Sequence, residues 1–218
     1  MKDAHGRTID YLRISLTDRC NLRCVYCMPA EGITQVSHDA ILRFDEVISL
    51  VRIASDLGVR RVRLTGGEPL VRKGIVGLVD AIRDLGTIDD ISLTTNGTLL
   101  APLAHDLKQA GLSRVNISLD TLDAEQYTQI TRGGSLHDAF AGIDAALACD
   151  FDPVKINAVA VRGLHQDYLA FARMSVNRPL HMRFIEYMPV GDSAGINGCG
   201  WGSEEVISCD EIRKRIDE

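Results

Sequence analysis

Short β-branched segments alternate along most of the chain with longer segments whose apolar residues recur at helical spacing. The predicted strands cover residues 10–16, 59–65, 90–95, 114–119, 153–162 and 180–188. The predicted helices lie near residues 44–57, 75–85, 99–110, 123–130, 136–148 and 165–174, with a short one over 203–217. Parallel strands need helical crossovers between them, so the pattern favours an α/β fold with a parallel sheet.

The predicted strands are polar at every second residue and apolar at the positions between. Side chains alternate faces along a strand, so each strand has one polar and one apolar face. We expect the apolar residues, such as Val62 and Ile117, to lie under the helices. The polar face then lines the interior of a curved, partly closed barrel of six βα units. Half-exposed antiparallel strands alternate in the same way and are the alternative.

The strand and helix pattern breaks after about residue 188. A glycine-rich stretch over residues 190–202 reads VGDSAGINGCGWG and has neither helical nor strand periodicity. We therefore expect a core over residues 1–190 and a C-terminal extension with a short helix over residues 191–218.

Composition and charge narrow the class of protein. The 218 residues are 45% apolar and 25% charged, which is typical of a globular protein with one large or two small domains. A formal net charge of -6 argues against a general basic field that would attract nucleic acid or an anionic membrane. No stretch offers the roughly 18 apolar residues that span a bilayer, so the cytoplasm is the expected compartment.

Cys20, Cys24 and Cys27 lie directly after the first predicted strand, in the segment CNLRCVYC. Thiolates are soft ligands that suit zinc or iron–sulfur clusters. A structural zinc site takes four ligands, whereas three thiolates leave a coordination position open for chemistry. The spacing favours a 4Fe-4S cluster over zinc or incidental cysteines. The other cysteines, Cys149, Cys199 and Cys209, are isolated along the chain.

The three cysteines, with Tyr26 before the last of them, resemble the CxxxCxxC loop of the radical S-adenosylmethionine (SAM) superfamily. The GGEP segment at residues 66–69 resembles the segment of that superfamily that meets the amino group of SAM. The resemblance implies a partial (βα)6 radical SAM barrel and one 4Fe-4S cluster on the three cysteines, with SAM as cofactor. It also implies SAM contacts from Tyr26, Gly67, Glu68, Thr94, Asn96, Ser118 and Met188.

Six segments over roughly residues 7–192 resemble the GTP 3',8-cyclase family within that superfamily. They are LRISLTDRCNLRCVYCMP, RVRLTGGEPL, SLTTNG, VNISLD, VKINAVAVRG and MRFIEYMPVG. The resemblance implies reductive cleavage of SAM to a 5'-deoxyadenosyl radical that rearranges GTP in molybdenum cofactor biosynthesis. It also implies an electron donor such as flavodoxin or ferredoxin, and it is compatible with a homodimer.

Five cations share the polar strand face in an otherwise acidic chain: Arg13, Arg61, Arg63, Lys155 and Arg183. Burying them without partners is costly, so they need anions. Guanidinium forks and lysine suit a triphosphate, and the resemblance places these residues at GTP or at neighbouring SAM groups. Salt bridges to Asp18, Asp120 or Glu186 are the alternative.

The family continues with a second cysteine set that binds another cluster and helps to hold guanine. Cys199 and Cys209 do not reproduce that set. We therefore expect this chain by itself to bind GTP and to form little or no cyclised product. The alternative function is a catalytically incomplete paralogue that binds metal or nucleotide without cyclising GTP.

Overall fold

The computed structural model describes residues 2–32, 36–188 and 202–217. The strands are β1 (Tyr11–Ser15), β2 (Arg61–Thr65), β3 (Asp90–Thr95), β4 (Arg114–Ser118), β5 (Val154–Ala160) and β6 (Leu180–Glu186). The helices are α1 (Phe44–Asp56), α2 (Ile75–Arg83), α3 (Ala104–Gln109), α4 (Ala124–Thr131), α5 (Leu136–Ala148), α6 (Tyr168–Asn177) and α7 (Cys209–Asp217). Across the described ranges, each helix is too short or too polar to cross a bilayer.

The strands form one sheet in the order β1-β2-β3-β4-β5-β6, and every neighbouring pair is parallel. The predicted α/β fold with parallel strands is confirmed, and the antiparallel alternative is wrong for these strands. Sequential order follows because each crossover returns the chain beside the strand it has just left. The carboxyl ends of all six strands therefore meet at one edge of the sheet.

The two faces of the sheet divide as the alternation predicts. Val62, Leu64, Val115 and Ile117 are fully buried against the helices. The same helix-facing core continues through Leu93, Ile156 and Ala158. Burying a large aliphatic side chain contributes about 1.5–3 kcal/mol, so this face dominates the stability of the fold. The opposite face of the sheet carries the polar side chains of the alternation and is not part of this apolar core.

The sheet is strongly curved. Arg183 on β6 lies close enough to Arg63 on β2 for its positive charge to lower the pKa of Arg63. Four strand spacings of a flat sheet would separate the two backbones by about 19 Å. The polar face is therefore concave, and it encloses the lumen of a partial barrel.

Two predicted helices begin later than their apolar pattern indicates. The helix expected from residue 99 begins at Ala104, after a series of turns that includes Pro102. A proline disfavours helical geometry in the residue before it. The helix expected from residue 165 begins at Tyr168, because Asp167 caps it by accepting a hydrogen bond from the Ala170 N–H at 2.8 Å.

The C-terminal helix expected over residues 203–217 is divided. A single 3-10 turn covers Ser203–Glu205, and α7 begins at Cys209. Between them Val206 forms an isolated antiparallel bridge with Val161. Ile207 and Ile212 are buried in a small cluster with Tyr168, so the described part of this segment packs on the sheet. The proposed domain boundary near residue 190 stays a prediction, and it lies outside the described residues.

Gly142 and Gly77 provide a matched test of helix packing. A Cβ on Gly142 in α5 would lie 2.1 Å from the Gly97 carbonyl oxygen, whereas a Cβ on Gly77 in α2 would meet no atom within 4 Å. We expect Gly142→Ala to lower the free energy of unfolding by about 1–3 kcal/mol, because overpacking displaces the loop after β3. Gly77→Ala should raise it by about 0.5–1 kcal/mol. Urea denaturation measures both, and equal stabilities for the two variants would contradict the close contact.

Candidate active site

Four chain segments meet at the carboxyl edge of the sheet. They are residues 16–28 after β1, 66–69 after β2, 96–98 after β3 and 119–121 after β4. We call residues 20–27 the cysteine loop. Because neighbouring parallel strands end side by side, their following segments are placed in contact, and open α/β sheets bind ligands at this edge.

Glycines after β2 bring two backbones together. The Gly67 N–H donates to the Thr17 carbonyl at 2.7 Å, and the Glu68 N–H donates to the Arg19 carbonyl at 2.8 Å. A Cβ on Gly67 would lie 2.4 Å from the Arg19 carbonyl oxygen. Glycine is therefore needed here for the approach of the chain that leads into the cysteine loop. The contact of Gly67 with SAM stays a prediction.

Glu68 joins the segment after β2 to the end of β3. Its side chain is only 1% exposed. The carboxylate accepts hydrogen bonds from the Leu70 N–H at 3.0 Å, the Thr95 hydroxyl at 2.8 Å and the Asn96 N–H at 2.7 Å. Burial raises the pKa of Glu68, and these three donors oppose that rise. The structure thus gives Glu68 a definite bridging role, and its predicted contact with an ammonium group remains a prediction.

The three thiols of the cysteine loop are free, with Cys20 and Cys24 half-buried and Cys27 exposed. Burial raises the pKa of all three. The pKa of Cys24 rises to about 12, because burial is reinforced by the nearby charges of Asp120 and the other two thiols. Within the described ranges, no three His, Cys, Asp or Glu side chains converge closely enough to hold one metal ion.

Hydrogen-bond donors surround the sulfur of Cys20. The Leu22 N–H donates to Cys20 Sγ at 3.4 Å, and the Asn96 side-chain amide lies 3.9 Å from the same atom. Such donors stabilise negative charge on a thiolate, and binding to a metal removes the thiol proton outright. The donor set of three neighbouring thiols with amide support therefore fits a thiolate-bound iron–sulfur cluster.

Tyr26 anchors the cysteine loop to the opposite side of the edge. Its hydroxyl donates to one carboxylate oxygen of Asp120 at 2.5 Å, and the Val159 N–H donates to the other at 2.8 Å. Gln166 donates from its side-chain amide to the Asp120 carbonyl at 2.6 Å. The loop from β1 is thereby tied to the ends of β4 and β5.

The concave face gathers most of the predicted cations. Burial lowers the pKa of Arg63, and three neighbouring positive charges lower it further. Those charges belong to Arg13, Arg114 and Arg183. Lys155 has a lowered pKa for the same reasons, burial first and then Arg114, Arg183 and Arg63. We call Arg13, Arg63, Arg114, Lys155 and Arg183 the inner-face cations.

The salt-bridge alternative applies to Arg61 alone among the predicted cations, within the described part of the chain. Arg61 lies at the amino end of β2 and pairs with Asp10 at 2.6 Å. Its side chain is 47% exposed, and its charge is not among those that lower the pKa of Arg63 or of Lys155. Asp120 instead binds Tyr26, and Glu186 accepts from the Cys209 N–H.

Several polar atoms on the concave face lack partners among the described residues. They are the Thr94 hydroxyl and the side-chain carbonyl oxygens of Asn116 and Asn157. Thr94 and Asn116 are register partners on β3 and β4, and Asn157 is the register partner of Ser118. Buried polar atoms are normally hydrogen-bonded, so this row is suited to a polar ligand or to water.

Met188 follows β6 and is 69% exposed. Met188 is therefore not part of the buried core. Its predicted contact with the adenine of SAM stays a prediction.

The sequence interpretation missed Arg114 and Arg132. Arg114 begins β4 in phase with Asn116, so the period of two was a sufficient signal. The TRGG segment at residues 131–134 resembles the same family, and its sequence is explained equally well as a loop before a helix. In the structure the Arg132 guanidinium donates to the Arg23 carbonyl at 3.0 Å and to the Met28 carbonyl at 2.7 Å. Arg132, the residue directly after α4, therefore ties the middle of the cysteine loop to the residue that follows it.

Comparison with known families and curated proteins confirms the expected resemblance. The family described as "Radical SAM superfamily" matches residues 14–174. A GTP 3',8-cyclase of Pelotomaculum thermopropionicum is 51% identical over 217 residues, covering 99% of this chain and 65% of that protein. A GTP 3',8-cyclase of Heliobacterium modesticaldum is 54% identical over 193 residues, covering 88% of this chain and 59% of that protein. The chain thus spans about 59–65% of the length of these relatives.

Solved structures support the same fold. The crystal structure of methylornithine synthase (PylB) aligns with a TM-score of 0.69 at 16% sequence identity, covering 95% of this chain and 62% of that protein. At this identity the likeness concerns the fold alone.

Removing the Arg132 guanidinium should loosen the cysteine loop. A hydrogen bond from a charged donor contributes about 1.5–3 kcal/mol, so we expect Arg132→Ala to lower the free energy of unfolding by about that amount. We also expect it to retain less iron after anaerobic reconstitution with iron and sulfide. Arg173→Ala, which changes an exposed arginine of α6, is the control. Urea denaturation and iron analysis measure the effects, and wild-type values in both would show that Arg132 does not hold the loop.

Proposed function

The chain belongs to the radical SAM superfamily, and from this we propose that it has the radical SAM chemistry of a GTP 3',8-cyclase in molybdenum cofactor biosynthesis. The expectation that this chain by itself forms little or no cyclised product stays a prediction. The observation that carries the proposal is the meeting of two features in one lumen. The cysteine loop lies at the carboxyl edge, and the inner-face cations lie deeper on the same concave face. A nucleoside triphosphate fits this arrangement, with its phosphates at the inner-face cations and its nucleoside nearer the cysteine loop.

The superfamily implies a 4Fe-4S cluster and SAM. We propose one such cluster, held by Cys20, Cys24 and Cys27. When bound, the cluster supplies the electron that cleaves SAM and so provides the 5'-deoxyadenosyl radical that attacks GTP. The Asn96 amide and the Leu22 N–H would stabilise the Cys20 thiolate, since both already lie beside its sulfur.

We propose that SAM lies along the strand ends, where the Thr94 hydroxyl, which has no partner among the described residues, faces the lumen beside Asn116. The further proposed contacts are Tyr26, Gly67, Glu68, Asn96, Ser118 and Met188. Glu68 and Tyr26 also hold neighbouring segments in place, through Thr95 and Asp120 respectively. Loss of either side chain would therefore alter the shape of the edge as well as any direct contact.

The triphosphate of GTP is proposed to neutralise the inner-face cations. Arg13, Lys155 and Arg183 form no ion pair among the described residues, so their charges are available to an anion. Arg114 is partly neutralised by its contact with Asp90. Arg61 is engaged with Asp10, so we assign it a lesser part than the sequence alone indicated. The mutual repulsion of these cations falls when phosphate binds, which favours binding electrostatically.

We further propose a low-potential electron donor such as flavodoxin or ferredoxin, a cytoplasmic location and assembly as a homodimer. Nucleic acid and membrane are not among the proposed partners. The identity to GTP 3',8-cyclases does not favour the alternative of a paralogue that binds metal or nucleotide without turnover.

Replacing any one of Cys20, Cys24 and Cys27 with alanine should abolish the cluster, because each removes one of the grouped thiols. Anaerobic reconstitution followed by iron and sulfide analysis and electron paramagnetic resonance measures this outcome. Cys209→Ala, which removes an exposed thiol at the start of α7, should leave the cluster intact. Equal loss of the cluster in Cys209→Ala, or stoichiometric zinc without sulfide in the wild type, would contradict the assignment.

GTP binding should depend on the inner-face cations. Arg183→Ala or Lys155→Ala should weaken GTP binding about 10- to 100-fold, since a charge-assisted hydrogen bond contributes about 1.5–3 kcal/mol. Calorimetric titration with GTP measures the affinity, and Arg52→Ala on the exposed side of α1 is the control. Unchanged affinity for GTP in both inner-face variants would show that the triphosphate does not bind to this face.

A further inference from the structure

A small polar cavity lies behind the cysteine loop, between that loop, the end of β4 and α4. Its volume is about 30 Å³. Its polar lining includes Cys24, Asn96, Asp120 and Tyr127, and its apolar lining is formed by Leu22 and Ile130. A cavity of this size holds one or two water molecules, and water needs two to four polar partners. Both conditions are met here.

Tyr127 lines this cavity, and its hydroxyl is buried without a hydrogen bond to any described residue. The residue is 3% exposed, and its hydroxyl oxygen has no hydrogen-bond partner among the described residues. Leaving a buried hydroxyl unsatisfied costs about 1–3 kcal/mol, so native structures rarely do so. Burial, followed by the nearness of Cys24 and Asp120, raises the pKa of Tyr127. The hydroxyl is therefore protonated near neutral pH and is available as a donor.

The other groups of the cavity do not satisfy Tyr127 directly. The two carboxylate oxygens of Asp120 accept from Tyr26 and from the Val159 N–H, and each keeps a free lone pair. Cys24 lines the same space, and it is near enough for its charge to raise the pKa of Tyr127. A molecule that accepts from Tyr127 and donates to two acceptors would satisfy all three groups, and water has this hydrogen-bond capacity.

We propose that this cavity holds an ordered water molecule that accepts from the Tyr127 hydroxyl and donates to Cys24 Sγ and Asp120. Tyr127 is then a positioning residue for the iron–sulfur cluster, which acts through water on one thiolate ligand. The inference rests on the proposed function, because it takes Cys24 as a cluster ligand.

The physical consequence concerns the reduction potential of the cluster. A hydrogen bond to a ligating sulfur stabilises the extra negative charge of the reduced form and so raises the potential. Tyr127 orients the water so that its hydrogens point toward Cys24 and Asp120. Without the hydroxyl, the water loses its fixed orientation and the reduced cluster loses that stabilisation.

Tyr127→Phe tests the inference, because it removes the hydroxyl and keeps the buried ring. We expect the reconstituted variant to bind iron and sulfide in wild-type amounts, with a midpoint potential shifted to a more negative value. We also expect weaker exchangeable-proton signals in electron–nuclear double resonance of the reduced cluster after transfer to deuterated water. Tyr168→Phe is the matched control, because its hydroxyl donates to Gln166 at 3.1 Å outside this cavity.

Wild-type potential and proton signals in Tyr127→Phe would overturn the inference while leaving the proposed function in place. Equal shifts in Tyr168→Phe would overturn it too, since they would show a general effect of hydroxyl loss. A wild-type protein that binds no cluster would overturn the proposed function and this inference together.

A crystal structure of the wild-type protein provides an independent measurement. Water density within hydrogen-bond distance of the Tyr127 hydroxyl supports the proposal, and a dry cavity refutes it.

Discussion

The backbone before the cysteine loop lies directly against Gly66 and Gly67, with hydrogen bonds from Gly67 to Thr17 and from Glu68 to Arg19. Any side chain at Gly67 would occupy the place of the Arg19 carbonyl. This contact sets where the loop leaves the sheet, and therefore where its thiols lie. Tyr26 and Arg132 hold later parts of the same loop, through Asp120 and through the carbonyls of Arg23 and Met28.

Along the strands, the thiols and hydroxyls lie at the carboxyl edge of the sheet, and the cations lie deeper in the lumen. Thiols and strand-end hydroxyls occupy the carboxyl edge, whereas Arg13 and Arg63 lie one row below the ends of their strands. The inner-face cations repel one another, and burial lowers the pKa of Arg63 and Lys155 in the same direction. A concave face that concentrates positive charge in an acidic protein gains stability when it binds an anion. The proposed substrate provides the anion and the reacting group in one molecule.

Much of the fold could be predicted from the chain because each strand carries two environments in alternation. Apolar residues such as Val62 and Leu64 had to face the helices, and that placed Arg63 on the opposite face. Arg61 shares the phase of Arg63, yet it ends in an ion pair with Asp10. The alternation along a strand shows which face of the sheet a residue occupies. It does not show whether a residue of another segment lies close enough to form an ion pair with it.

Local pattern and residue chemistry determined the parallel α/β fold, the polar inner face and the grouping of three thiols on one loop. These follow from period, crossover geometry and short spacing, all of which are properties of neighbours in the chain. Only the tertiary structure decided that Glu68 bonds to Thr95 at the end of β3, that Arg132 binds the cysteine loop and that Tyr127 and Cys24 line one cavity. Those contacts join residues many positions apart, and they depend on the curvature of the sheet and on which backbone carbonyls the packing leaves unsatisfied.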